Sequence, residues 1–330
     1  MKKLAGLPGV HLWIYNHPFL GISDQVSFFI HASRQKGYRV SVGNRPEISK
    51  LNVVIENFSA MTREPLKEFC TSTGKRVAVI MTEHLDFVDN RILIHGDPLW
   101  SSNDYMHPGI QFDRIRYLME SLPYIRCLFV LGDLPELKNS VSMIPGVVLR
   151  AIPFPFLAEK LRTPPPVMGK GGSDLVFTGV LTDYRRYLIT LLRENRFTVD
   201  CPDRFVSCWK RTQLNRCSKI NLNLPQRETW RWLSLMRIIA SLRCGRATVS
   251  VGTQDDSRIA ACTYQLRLDT GDWQELLRAC VADWRGLYRN AWEAYNAMAE
   301  DFEASLGFPH DLFDYWAMTD SGRQSIQRTP

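Results

Sequence analysis

The segment Leu175-Val176-Phe177-Thr178-Gly179-Val180-Leu181-Thr182-Asp183-Tyr184-Arg185-Arg186 decides the fold. An apolar run ends in glycine, a short loop follows, and a helix opens with two arginines. The order is strand, turn, helix. Glycine lets a ligand approach the backbone, helix-start N–H groups face an anion, and arginine can clamp phosphate oxygens. Thr178, Gly179, Arg185 and Arg186 are therefore candidate ligand contacts. Asp183 is placed to cap a helix over 184–194.

Toward the C-terminus the same alternation continues. A strand over 220–224 is followed by a helix over 230–242, closed by Gly245, which suits a left-handed cap. On that helix Ser234, Arg237 and Ser241 share one face, while Leu235, Ile238, Ile239 and Leu242 read as core. An arginine in such a setting either snorkels from a packed helix or points into a ligand site. Strands over 247–251 and 264–268 complete a sheet. A long amphipathic helix over 273–302 precedes an aromatic tail expected to pack back on the first half of the chain.

Toward the N-terminus, strand-like runs at 10–15, 38–42, 53–56, 76–81, 127–131 and 147–152 alternate with helical spacing at 25–36, 64–73 and 110–122. Such alternation predicts a parallel sheet covered on both faces. A Pro/Gly-rich run over 163–172 interrupts it, and Gly169-Lys170-Gly171-Gly172 reads as a hinge. The expected organisation is an N-terminal domain over 1–160, a linker over 161–173, a C-terminal domain over 174–305 and a tail over 306–330. The fold class is α/β, with two Rossmann-like doubly wound domains facing a cleft, where ligands bind at the carboxyl ends of the strands.

The chain has 330 residues, long enough for two cores, and a net charge of +7. Between Arg185 and Arg246 there are 14 Lys/Arg against 4 Asp/Glu, a block that attracts phosphate-rich ligands or an anionic membrane face. No nucleic-acid signature accompanies the charge, so no nucleic-acid partner is expected. The eight cysteines make no C-x-x-C pair and read as free thiols. The N-terminus has no signal-peptide run and no stretch reaches a membrane span. The chain is expected to be cytoplasmic, with room for a peripheral contact at the inner face of the membrane.

At two segments the sequence resembles a family. Phe177, Gly179, Leu181, Arg185 and Arg186 match the F-x-G-x-L-x-x-x-R-R pattern that begins the donor domain of GT-B glycosyltransferases, particularly bacterial lipopolysaccharide and surface-polysaccharide types. Ile220, Leu222, Asn223 and Leu224, with Arg237, Ile238, Gly245, Val249 and Ser250, are similar to a second stretch of that family. The likeness covers 175–251. It implies a metal-independent transfer from a nucleotide-sugar donor, a UDP- or GDP-sugar, to a carbohydrate or glycolipid acceptor in cell-surface polysaccharide assembly. The donor would lie on the C-terminal domain near Thr178, Gly179, Arg185, Arg186, Glu228, Ser234 and Arg237. No other cofactor and no metal ligand is implied. The chain departs from the family at Val251, where many relatives carry an acid, and in lacking the two-glutamate pattern of retaining enzymes; Glu228 lies near its first position. Retaining and inverting chemistry both stay open.

In this family the N-terminal domain holds the acceptor, and an inverting member needs a base there. Asp24 leads, with His17 as alternate and Glu83 third, all near predicted strand ends; Asp24 could instead cap a helix beginning near Gln25. There is no D-x-D triad for a donor-bridging metal, no G-x-G-x-x-G after a strand and no P-loop, which weakens NAD- and ATP-dependent readings. Two alternatives remain: a nucleotide-sugar epimerase, and a non-catalytic module binding a nucleotide or polyanion.

Overall fold

The computed structural model describes residues 9–17, 19–82, 85–88, 91–94, 97–98, 108–133, 146–169, 172–204, 206–230, 232–252 and 255–313. The chain is a mixed α/β protein with two parallel sheets, each Rossmann-like, the fold class the resemblance implies. It divides into two compact units. One comprises Met1–Ile92, Leu99–Pro155 and Phe302–Pro330; the other comprises Leu93–Pro98 and Phe156–Asp301.

In the first unit the strands are β1 (Gly9–Trp13), β2 (Arg39–Gly43), β3 (Leu51–Ile55) and β4 (Val77–Met81). Three short strands follow in the chain, β5 (Leu85–Val88), β6 (Arg91–Ile94) and β7 (Asp97–Pro98), of which β7 and the end of β6 fall in the second unit. Then come β8 (Ile125–Leu131) and β9 (Val148–Ile152). The main sheet runs β2-β1-β3-β4-β8-β9, parallel throughout. Its helices are α1 (Phe19–Gln35), α2 (Ala60–Thr73) and α3 (Pro108–Ser121). Central β3 and β4 are buried at every position, as expected of parallel strands covered on both faces, whereas edge strand β2 exposes Arg39. Helix α2 starts at a capping box in which Ser59 and Thr62 bond each other's backbone N–H, and ends at a left-handed Gly74. The C-terminal segment also belongs here: Phe308 and Phe313 pack on Tyr38, Phe313 stacks on Phe129, and His310 Nδ1 lies 2.9 Å from the Tyr38 hydroxyl.

The second unit contains β10 (Ser173–Val176), α4 (Asp183–Glu194), β11 (Val199–Asp200), α5 (Cys208–Arg216), β12 (Ser218–Asn223), α6 (Leu235–Arg243), β13 (Thr248–Val251), β14 (Tyr264–Leu266), α7 (Trp273–Ala282) and α8 (Trp284–Leu306). Its strand order is β11-β10-β12-β13-β14, again parallel. The period of two splits the strands' side chains between faces. Leu175, Phe177, Ile220, Leu222, Leu224, Val249 and Val251 join Leu188 and Leu192 of α4 and Trp273 and Leu277 of α7 in one cluster. Each buried aliphatic or aromatic side chain of this kind contributes about 2 kcal/mol. The alternate residues Asn221, Asn223, Thr248 and Ser250 are buried and polar. Asn221 Nδ2 donates to Ser241 Oγ of α6 at 2.9 Å. Helices thus lie on both faces.

Several local expectations are revised, and the helix expected over 230–242 begins only at Leu235. Helix α1 begins at Phe19 rather than near Gln25, so Asp24 sits inside it and is not its cap. Thr182, not Asp183, caps α4: its hydroxyl accepts from Arg185 N while the backbone is extended, leaving Asp183 as the first helical residue. The helix expected over 273–302 breaks at Asp283, whose carboxylate accepts from Gly286 N at 3.0 Å. The proline-rich run is anchored within the second unit. Arg246, fully buried, donates to the carbonyls of Pro165 and Pro166 and also to those of Ser218, Arg216 and Gly245. Burial pushes its guanidinium down to about 10. Gly245 is left-handed as expected; a side chain there would collide with Pro165 Cδ.

Among the described residues, no helix is long and apolar enough to cross a membrane, and all eight cysteines are free thiols.

Candidate functional site

In a doubly wound sheet the strand order reverses once, and the crevice opens outside the carboxyl ends of the two strands at that point. In the second unit the reversal lies between β10 and β12. The loop leaving β10 carries Phe177, Thr178 and Gly179; the loop leaving β12 carries Leu224, Pro225 and Gln226 before α6. Thr182 ties the two together, donating from its hydroxyl to Gln226 O at 2.7 Å. Arg185 completes the tie. Only 5% exposed, it donates from Nε and Nη2 to Leu224 O at 3.0 and 2.8 Å, from Nε to Pro225 O at 3.2 Å and from Nη1 to Val180 O at 2.9 Å. These bonds make it the post that holds both loops.

Arg237 reaches the same place from the first turn of α6. Its guanidinium carbon lies 4.7 Å from the centre of the Phe177 ring, and that of Arg185 lies 5.2 Å from it, so one aromatic ring serves two cations. The close approach requires Gly179: a Cβ there would stand 2.6 Å from both Arg237 Nη2 and Phe177 Cζ. The start of α6 is held by Asp255, buried, whose Oδ2 accepts from Leu233 N at 2.8 Å and whose Oδ1 accepts from Ser257 N at 2.6 Å. Ser234 is the N-cap residue of α6 and is exposed, without a side-chain cap bond to the helix. Glu228 and Arg186 are exposed, and Thr178 is half-buried. Ser241, expected on the face of Arg237, instead turns inward to Asn221. A short backbone segment, a half-buried guanidinium and a helix start therefore meet at one sheet edge, the donor set that suits an anion.

In the first unit the order reverses between β1 and β3. Asn16, buried, donates from Nδ2 to Ile55 O at 2.8 Å and to Asn57 O at 3.2 Å, and Asn57 Nδ2 returns a bond to Asn16 O at 2.7 Å. Asn16 Oδ1 is buried and meets no donor among the described residues. Next to Asn57, Glu56 is 2% exposed and is gripped by Arg114 of α3, with Nη2–Oε2 at 2.6 Å and Nε–Oε1 at 3.1 Å. The Thr82 hydroxyl adds a bond to the same carboxylate at 3.2 Å. His17, half-buried, stands at this edge after β1. Asp24 is the sixth residue of α1, about 7.5 Å along the helix from its start. Glu83 lies outside the described residues.

Sequence reading did not single out Asp255 as an anchor, the Glu56–Arg114 pair or Asn16. Arg114 lies 58 residues from its partner, and no local pattern links them. Among the described residues no group of three or more His, Cys, Asp or Glu is arranged to hold a metal ion.

No protein-family model matches the sequence, and no curated protein matches it. Solved structures similar to the chain include an α-glucosyltransferase in complex with UDP and a 13-mer DNA containing a HMU base, with TM-score 0.45 and 10% identity over 94% of this chain and 99% of that one. T4 phage BGT in complex with its UDP-glucose substrate has TM-score 0.47 and 9% identity, over 90% and 99%. An α,α-trehalose-phosphate synthase (UDP-forming) from Burkholderia vietnamiensis has TM-score 0.42 and 11% identity, over 84% and 76%. These are loose likenesses.

Proposed function

We propose that the chain is a glycosyltransferase that moves a sugar from a UDP- or GDP-sugar donor to a carbohydrate or glycolipid acceptor, as in cell-surface polysaccharide assembly. The observation that carries this reading is the approach of Arg237 to the backbone of Gly179 at the carboxyl edge of the second sheet. A diphosphate spreads negative charge over several oxygens. A guanidinium fork, backbone N–H groups and the start of α6 stabilise that charge as it grows on the leaving group. Such a site calls for no metal. In the transfer, the bond from the anomeric carbon to the distal phosphate oxygen breaks, and an acceptor oxygen bonds that carbon. The acceptor's proton passes to a base.

Arg185 is a positioning residue in this scheme: it fixes the loops, and Arg237 makes the contact. The acceptor would use the first unit's edge, where the Asn16 and Asn57 amides and the neutralised Glu56–Arg114 pair offer a polar floor suited to hydroxyl groups. His17 is the better placed base candidate; Asp24 rides further along α1. The basic stretch between Arg185 and Arg246 supports a peripheral contact with anionic headgroups.

Calorimetry against a panel of UDP- and GDP-sugars tests the reading. Arg237→Ala is expected to weaken donor binding by roughly 10- to 100-fold, the loss of a hydrogen bond to a charged group. Undiminished affinity in that variant removes the site. Binding to glycans or anionic lipid but to no nucleotide sugar would point instead to the non-catalytic module.

A further inference from the structure

The second unit's edge has a polar group that the phosphate site does not use. Tyr184 is the second residue of α4. Its ring packs against the core of that unit and stacks on Tyr187, with ring centres 6.2 Å apart. Its hydroxyl crosses the carboxyl edge toward β13 and stands 2.8 Å from where a Cβ on Gly252 would be. Gly252 directly follows β13 and is left-handed, with φ +74. Any other residue there would both strain the backbone and evict the hydroxyl. Two observations on one glycine thus keep a phenol oxygen at the mouth of the sheet.

Glu228 belongs to the loop leaving β12, at the same carboxyl edge of the sheet, and is exposed. Burial, with the Glu228 carboxylate next in weight, holds the Tyr184 phenol above its ordinary range, so it stays a neutral O–H donor at physiological pH. A phenol that donates and a carboxylate that accepts are complementary to a group that does both. A ligand hydroxyl accepts from Tyr184 and donates to Glu228. A phosphate in the same place would be repelled by Glu228.

We infer that Tyr184 is a specificity residue whose hydroxyl, with Glu228, reads a sugar hydroxyl of the bound ligand while Gly179 and Arg237 hold its phosphates. This rests on the nucleotide-sugar reading above and adds to it a division of the edge into an anion side and a hydroxyl side. The sugar hydroxyl can belong to the ribose or to the transferred sugar; the chemistry recognised is the same.

The test is calorimetry on the full chain, wild type and Tyr184→Phe, with UDP, GDP, their 2′-deoxy forms, UDP-glucose, GDP-mannose and inorganic pyrophosphate. The variant keeps the ring and its packing and loses only the oxygen. A hydroxyl contact predicts affinity lowered roughly three- to tenfold for the nucleotide ligands, with pyrophosphate unaffected. Loss that disappears with the 2′-deoxy forms assigns the contact to the ribose; loss seen only with the nucleotide sugars assigns it to the transferred group. Glu228→Gln should shift the same ligands in the same direction. Equal affinities in wild type and Tyr184→Phe, or an equal loss for pyrophosphate, overturn the inference and leave the donor reading standing. Wild-type protein that binds none of the nucleotide ligands overturns the donor reading itself, and this inference with it.

Discussion

At the carboxyl edge of the first sheet the guanidinium of Arg114 meets a carboxylate; at that of the second, the guanidinium of Arg185 meets the carbonyls of Val180, Leu224 and Pro225. Both arginines are largely shielded from water, and both hold strand-end loops in place. The acceptors differ in kind. Glu56 cancels the charge of Arg114 and leaves a neutral polar floor. Carbonyl oxygens of Val180, Leu224 and Pro225 accept from Arg185, and Arg237 adds a second cation over the same phenyl ring. Two sheets of one topology thus present different potentials at equivalent places. One suits hydroxyl groups, the other an anion.

The largest test of that contrast is Glu56→Ala. It leaves Arg114 buried without its carboxylate and is expected to cost about 3–5 kcal/mol of stability, read as a lowered urea midpoint. The paired exchange Glu56→Leu with Arg114→Met should recover most of the loss, because a buried ion pair contributes little beyond its apolar replacement. A single variant as stable as wild type would mean the pair does not neutralise that edge.

Gly179→Ala attacks the other edge. Its Cβ would press on Arg237 Nη2 and on Phe177 Cζ, which is fully buried. Overpacking of this kind costs about 1–3 kcal/mol. Donor affinity should fall with it, since the guanidinium must move. Chemical denaturation and calorimetry on the same preparation separate the two effects; unchanged donor affinity would detach Arg237 from ligand binding.

The smallest effect sharpens the contrast between a buried pair and a surface one. Lys219 and Asp174 meet at 2.8 Å at the start of β10, with side chains 37% and 23% exposed. Burial alone would raise the Asp174 carboxyl, but hydrogen bonds from Lys219 and Thr198 outweigh it and hold it below its ordinary range. A carboxyl depressed by folding contributes stability that is present above its unfolded value and is lost as pH falls through the folded one. Water screens this pair, so its contribution is about 1 kcal/mol or less. The stability difference between wild type and Asp174→Asn should therefore shrink from pH 7 to pH 3; an equal difference at both would show that the pair is inert.

Legibility in the sequence followed the range of the interactions. The strand before Gly179, the helix after it, the Arg237 helix and the cap at Gly245 are all set by periodicity and by residues within a few positions of one another. The start of α1 was harder: Pro18 and the mixed run 19–24 hide a helix whose apolar spacing becomes regular only later. The cap of α4 went to Thr182 because its hydroxyl reaches both Arg185 N and Gln226 O, and the second of these lies 44 residues away. The sequence alone gives Arg185 as a phosphate contact and hides its carbonyl acceptors for the same reason. Its carbonyl partners at 224 and 225 come from a different loop.

By itself the sequence determined the class of the protein: alternating apolar periods of two and 3.6 leave few solutions other than parallel sheets flanked by helices, here twice over. It also determined that glycine and arginine would meet strand ends in the second half. Only the tertiary structure decided which arginine is bound to the carbonyls of another loop and which one stands against Gly179. That choice depends on carbonyls, a phenyl ring and a glycine brought together from separate loops, and hydrogen-bond geometry at 3 Å is not written in the spacing of residues along a chain.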